Sequence, residues 1–406
     1  MTRIGFAYNQ KPESTPASHA ASDAVDADDE PPSTRRDESA RTFYSVPSTP
    51  FATPGGGTGL VVPVSPAPAA TDDVFAEWDS AETIDAVAHA LSAMGEVIRL
   101  EATPDFPERL RDARPDIVFN IAEGLAGPNR ESHVPAICEF FGIPYSGSDP
   151  FTLALCLHKA RTKQMLAAHG IPTAGFALVE TDAELEALAA GRHPRFPGSP
   201  SRFPLFLKPV QEGSSKGITE RNLVRGPDEL LMRGRELLRD YDQPVLVEEY
   251  LPGAEFTCGV LGNGAAARVL PIVALRFDTL PDGAVPIYGF EAKWVWDTRD
   301  HPLEIFECPA RIAPELRSAI EAVTLGAYRA LGCRDWSRID VRLDAAGAPH
   351  VIEVNPLPGI LPDPADHSCL PTAARAAGLS YDRLIQACLI HAAERQGVAL
   401  ERGSIP

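Results

Sequence analysis

No two cysteines of this 406-residue chain stand as C-x-x-C, and its seven cysteines are scattered and odd in number. Such spacing offers neither a zinc ribbon nor a paired disulfide framework, and points to reduced thiols in a cytoplasmic protein. No stretch of about 18 apolar residues occurs, so no membrane-spanning helix is expected. The opening MTRIGFAYNQ holds an apolar run too short for a signal peptide. Positive charge is scarce as well. Thirty-seven Lys and Arg against 56 Asp and Glu give a formal net charge of −19, which argues against the broad basic face that nucleic acid or an anionic membrane surface requires. The phosphate-loop signature G-x-x-x-x-G-K-[ST] is missing too.

What is present is a chain 44% hydrophobic, large enough for two or three packed domains. Residues 4–8 read as a short buried strand. Residues 11–73 then turn to Pro, Ser, Thr, Ala and Asp with few large aliphatics. Such a stretch buries too little apolar surface to offset its ordering entropy, and a disordered, low-complexity insertion is expected. Asp79 and Glu82 form a D-x-x-E capping box ahead of Ile84, Val87, Leu91 and Met94 at helical spacing, with Gly95 as the stop. Strands at 97–100 and 116–121 and helices near 132–141 and 160–169 give a parallel α/β unit. From about 170 the pattern becomes α+β. Strands are expected at 205–208, 245–250, 256–261 and 269–274, a second loop insertion at 191–202, a helix at 314–331 and a closing helix at 378–394.

Three segments carry chemistry. Residues 203–217, FPLFLKPVQEGSSKG, end a strand in Lys208 and follow it with Gly213, Ser214, Ser215 and Gly217. Small residues let backbone N–H groups approach phosphate oxygens, and a lysine adds a point charge; a flexible surface loop would look the same. Residues 245–256, VLVEEYLPGAEF, place Glu248 and Glu249 at a strand end and Glu255 after a turn. These carboxylates can accept from an adenine amino group or ribose hydroxyls, or simply mark an acidic strand end. Residues 336–359, WSRIDVRLDAAGAPHVIEVNPLPG, form a hairpin. Pairing Leu343 with His350 sets Asp340 opposite Glu353 and Arg338 opposite Asn355. A period of two puts these four on one face and Ile339, Val341, Ile352 and Val354 on the other. Two carboxylates face to face repel unless a cation sits between them. With an amide oxygen beside them they suit Mg²⁺ (or Mn²⁺); the alternative is a solvated polar face.

Together these segments resemble the D-alanine–D-alanine ligase family of the ATP-grasp superfamily. The resemblance runs over about 116–394 plus the first strand, on GIPYSGS, LHKARTK, KPVQEGSS, GAEFT, FEAKW, LGCRDWSRIDV, IEVN and HSCLP in that order. It implies an α/β and α+β ATP-grasp fold. Residues 1–10 and 74–150 would form a Rossmann-like N-terminal domain. Residues 151–395 would form the ATP-grasp domain, with a small ATP-binding part at about 170–255 and a central catalytic part at 256–395, before a tail at 396–406. The resemblance further implies ATP as co-substrate, Mg²⁺ as the metal, small amino-acid or peptide substrates and a cytoplasmic step of peptidoglycan biosynthesis; it leaves a homodimer open.

Residue by residue, Lys159 and Lys208 match the lysines on the ATP phosphates, with Ser214 and Ser215 in the loop over them. Glu248 and the backbone of Leu251 match adenine contacts, and Glu255 the ribose ligand. Lys293 matches the mobile-loop lysine that reaches the γ-phosphate. Asp340, Glu353 and Asn355 match the metal ligands, Arg338 the arginine at the tetrahedral oxyanion, Gly359 an oxyanion-hole N–H, and Ser368 the ligand of the second substrate's carboxylate.

Departures gather on the substrate side. The family's first loop carries a glutamate for the first substrate's ammonium, but here Tyr8-Asn9 runs into the insertion. Glu123-Gly124 replaces His-Gly, Gly127–Glu131 replaces Gly-Glu-Asp-Gly, and Trp294 replaces a tyrosine. Glu123 either supplies the missing negative charge or pairs with Arg130. The implied reaction is attack of a carboxylate on the γ-phosphorus, then of an amine on the acyl phosphate, releasing ADP and phosphate. Three readings remain at this stage: a D-alanine–D-alanine ligase, a ligase of another amino acid or peptide, and a non-catalytic nucleotide-binding protein. The complete Arg338, Asp340, Glu353 and Asn355 set argues against the last.

Overall fold

The computed structural model describes residues 1–12, 77–192, 202–289, 291–296 and 303–400. The expected disordered insertion at 11–73, apart from its first two residues, and nearly all of the loop insertion at 191–202 lie outside the described residues.

Beyond Arg3, Arg3–Tyr8 (β1) is buried along its length because both of its faces are covered. It is central in a parallel sheet ordered β2-β1-β3, where Ala81–Ser92 (α1) leads to Glu96–Glu101 (β2) and Phe106–Ala113 (α2) to Ile117–Asn120 (β3). Ile4 and Phe6 pack with Ile84, Val87 and Leu91 of α1. Ala7 packs with Phe106 and Leu110 of α2 on the other face. The N-cap of α1 is Ser80, not Asp79: the Ser80 hydroxyl accepts from the Thr83 N–H at 3.3 Å. Asp79 is drawn aside because its backbone bonds both ways to the segment after β1, with Asn9 and Lys11.

His133–Phe141 (α3), Pro150–Leu157 (α4) and Lys159–Ala168 (α5) follow. Next comes an antiparallel sheet of Phe176–Val179 (β4), Leu205–Pro209 (β5), Leu223–Val224 (β6) and Val245–Glu249 (β7), ordered β4-β7-β5-β6. Asp182–Ala189 (α6) and Pro227–Tyr241 (α7) supply Leu185, Leu230 and Leu237 to its core. Gly234 lets the two helices close together, since a Cβ there would stand 2.7 Å from Leu185.

The last sheet contains Glu255–Leu261 (β8), Arg268–Val269 (β9), Val273–Leu275 (β10), Phe306–Glu307 (β11), Trp336–Leu343 (β12) and Pro349–Asn355 (β13). Its order is β11-β10-β8-β12-β13, with β9 paired to β8. The single strand expected at 269–274 is two short strands, because Pro271 between them has no N–H for the ladder. Pro314–Ala330 (α8) packs on this sheet. The chain closes with two helices rather than one, Cys369–Ala376 (α9) and Tyr381–Gln396 (α10). Gly378, at φ 81°, takes the left-handed turn that separates them. Trp336 at the start of β12 stacks on Phe119 of β3 at 5.2 Å, which sets the end of the parallel sheet against the hairpin.

In the hairpin, Arg338 pairs with Asn355 and Asp340 with Glu353, as the sequence predicts. Beyond Asp340 the register shifts by one, so Leu343 meets Pro349 instead of His350. This bulge buries Val351 completely and turns Ile352 toward the cleft, reversing the expected role of Ile352.

Candidate active site

Every residue given a role by the resemblance lines a single cleft, as does Glu123; Gly217 of the loop does not, and the side chain of Trp294 lies outside the described structure. The floor is the polar face of β12 and β13 with its neighbour β8. Asp340 accepts from Thr257 Oγ1 at 2.9 Å and from the Arg338 guanidinium at 3.0 and 3.2 Å. Thr257 is Asp340's partner across the β8–β12 ladder, so the contact follows from register. Burial pushes the Asp340 carboxyl up, against the pull of Arg338. Glu353 goes the other way. Burial opposes its charge, but Lys159, Lys208 and Arg338 outweigh this and hold it down to about 2. Lys159, at the first turn of α5, reaches Glu353 at 2.9 Å.

Lys208 stands at the end of β5, where Glu248 of β7 meets it at 2.6 Å and Lys163 of α5 at 2.9 Å. Glu248 is 4% exposed. The geometry makes it the anchor of two lysines, a task the sequence does not announce. Nearer the β7–β8 turn, Leu251 is buried and Glu255 pairs with Arg342 at 2.8 Å. Arg342, absent from the sequence candidates, also donates to the Tyr250 hydroxyl at 2.9 Å and lies over the Tyr250 ring at 4.9 Å. Its alternation with Arg338 and Asp340 along β12 is the signal that could have found it.

The loop after Lys208 turns through Ser214 and Ser215 at φ 49° and 62°, a region side-chain-bearing residues rarely enter. Consecutive N–H groups in such turns make anion-binding concavities. The loop is held by a residue outside the sequence candidates. Glu77 accepts from Gly213 N at 2.8 Å, from Lys216 Nζ at 3.1 Å and from Arg130 at 2.8 and 3.0 Å. Burial opposes the Glu77 charge, yet Arg130 and Lys216 hold its carboxyl below the usual range. The signal was positional: Glu77 lies just after the insertion and two residues before Asp79, which pairs with the segment that follows β1. Glu77→Ala should leave Arg130 and Lys216 with Glu212 as their remaining carboxylate partner, and breaking one side of a buried pair costs up to about 3–5 kcal/mol. The expected readouts are a lower thermal midpoint and a KM for ATP raised about 10-fold or more. An unchanged melt and KM would show that the loop does not depend on Glu77.

On the remaining wall, the Ser368 hydroxyl donates to Gly359 O at 3.0 Å and accepts from Leu361 N at 3.2 Å. Ser368 therefore stands at the start of α9 as the brace of the 359–361 loop. Lys293 lies on the π-helical turn Glu291–Trp296, and burial, with Arg338 nearby, lowers it to about 8. Glu123, just past the end of β3, faces the cleft; burial first, then Glu131 and Glu77, push its carboxyl well up. Arg130 is taken by Glu77 and by Gln211 O, so the Glu123–Arg130 pair does not form.

Residues 165–390 match the family described as the D-ala D-ala ligase C-terminus. The D-alanine–D-alanine ligase of Ectopseudomonas mendocina is 33% identical over 77% of this chain and 89% of its own. The chain belongs to the D-alanine–D-alanine ligase family. An uncharacterised protein of Sinorhizobium fredii is 34% identical over 67% of this chain and 73% of its own. The ATP complex of the Bacillus anthracis D-alanine–D-alanine ligase superposes with a TM-score of 0.58 at 25% identity, covering 79% of this chain and 96% of that one. As a D-alanine–D-alanine ligase family member, the chain has the ATP-grasp fold and is an ATP-dependent ligase that forms a peptide bond. Among the described residues no helix is long and apolar enough to cross a membrane.

Proposed function

We propose that this ligase phosphorylates the carboxylate of one amino acid and joins it to the amine of a second, with the D-alanine pair of its relatives as the reference reaction. The observation that carries this reading is the convergence on one cleft floor of Arg338, Asp340 and Glu353 with Lys159 and Lys208. Asp340, Glu353 and Asn355 fit Mg²⁺, a hard cation that takes one or two carboxylates and keeps its other positions for phosphate and water. Bound there, it would supply charge neutralisation at the β- and γ-phosphates. Lys159, paired with Glu353, and Lys208 would add positive charge for the phosphates, and Ser214 and Ser215 offer backbone N–H groups. Leu251 and Glu255, with Arg342 behind, form the nucleoside end, while Glu248 fixes Lys208. Arg338 and the Gly359 N–H face the carbonyl oxygen that becomes an oxyanion when the amine attacks. The protein's share is positioning and preorganised charge. Seven free cysteines favour the reducing cytoplasm as the compartment.

Phosphate release measured over pairs of D- and L-amino acids, with products identified by mass, tests the reading. Release that requires two amino acids supports it; release with none, or hydrolysis indifferent to them, sinks it. A pH profile adds a second check. Lys293 is charged below about 8 and loses its charge above it, so kcat/KM for ATP, which reports the free enzyme, should fall as pH rises through that value. Lys293→Arg should move this fall to higher pH; a wild-type profile flat from 7 to about 9.5 would remove Lys293 from phosphate binding.

A further inference from the structure

The end of the cleft lined by Glu77, Glu123 and Glu131 holds more carboxyl groups than the cations around it pair with. Glu77 and Glu212 take up Arg130 and Lys216. Lys159 is engaged by Glu353, and Lys11 lies by Asp79. Glu123 and Glu131 then remain. Both line the cleft, and neither makes a hydrogen bond or ion pair with a described side chain. Glu131 is only 9% exposed. It sits on the turn Arg130–Ser132 ahead of α3, which fixes its backbone.

Buried carboxylates without a partner are costly, and natural sites retain them where a ligand supplies the cation. Burial pushes Glu131 up to about 7, and burial together with Glu131 raises Glu123. An arriving cation would stabilise both charged forms. A simple zwitterionic amino acid brings one ammonium for two carboxylates. We propose that Glu123 and Glu131 form a selectivity recess for the acyl-donor substrate, and that this donor is a dibasic amino acid, with a side-chain amine besides its α-ammonium. The inference rests on the ligase reading above and adds the chemical class of its first substrate. One carboxylate takes the α-ammonium and the other the second amine, while the substrate's own carboxylate points to Lys159 and the phosphates.

The test uses the full chain with Mg·ATP, D-alanine as acceptor, and as donors both enantiomers of alanine, 2,3-diaminopropionate, 2,4-diaminobutyrate, ornithine and lysine. Product mass identifies the donor. One diamino acid should exceed alanine in kcat/KM by about 10–100-fold, the range a charge-assisted hydrogen bond covers. Glu131→Gln should bring that ratio near unity with KM for ATP unchanged. Should Glu131→Gln melt early, Glu123→Gln provides the same ratio from a more accessible position. Alanine as the best donor, or a diamino preference that survives in both variants, overturns the inference while the ligase reading stands. A variant that alters only the Mg²⁺ requirement overturns it too, by assigning the recess to a metal. No release with any pair defeats the ligase reading and this inference together.

Discussion

Glu353→Gln should yield a folded protein whose turnover collapses at limiting Mg²⁺ and recovers only in part at high Mg²⁺. Glu353 is held down to about 2 by the cations around it, so it is ionised at any working pH, and the substitution removes a full charge. Even an outer partner of a metal ligand is worth about 10–100-fold in affinity; a ligand itself should cost at least the upper end. Lys159 also loses its 2.9 Å partner. On stability the sign is definite. A carboxyl depressed in the folded state stabilises above its unfolded value of 4.5 and loses that contribution as pH falls toward 2. The variant should therefore melt with a shallower acid dependence. A Mg²⁺ titration of phosphate release decides: wild-type half-saturation would take Glu353 out of the metal site.

The second large effect belongs to Arg338. Arg338→Gln should lower kcat by about 10²–10³, the usual cost of one oxyanion donor, while KM for ATP moves little. Arg338 also contacts Asp340 through two nitrogens. Arg338→Lys keeps the charge but not this fork, and should fall between the two. Equal losses in kcat and in ATP affinity for Arg338→Gln would instead mean that Arg338 acts by holding Asp340 in place.

Local pattern made much of this legible. Alternation along the hairpin placed Arg338, Asp340, Glu353 and Asn355 on one face, because strand side chains obey a period of two whatever surrounds them. Long-range pairing was not legible. Glu77 reaches the loop at Gly213 from 136 positions away, and Glu248 reads as an exposed strand end until Lys163 arrives from α5. The cap of α1 was misplaced by one residue because tertiary bonds to Asn9 and Lys11 claimed Asp79. The bulge escaped for a related reason: one slipped residue is invisible to alternation when Val351 and Ile352 are both apolar.

That bulge separates the carboxylate pair from the turn that closes the hairpin. The residues between Asp344 and Ala348 close the turn on the far side of the slip, and the Asp340–Glu353 pairing keeps its register without reference to them. Length in the hairpin is therefore tolerated in one direction only. A sequence exchanged at 345–347 would leave the carboxylate pair face to face, so this turn is a grafting point for a tag or a reporter loop. A single residue added between Glu353 and Asn355 would instead turn one of them into the core and dismantle the face.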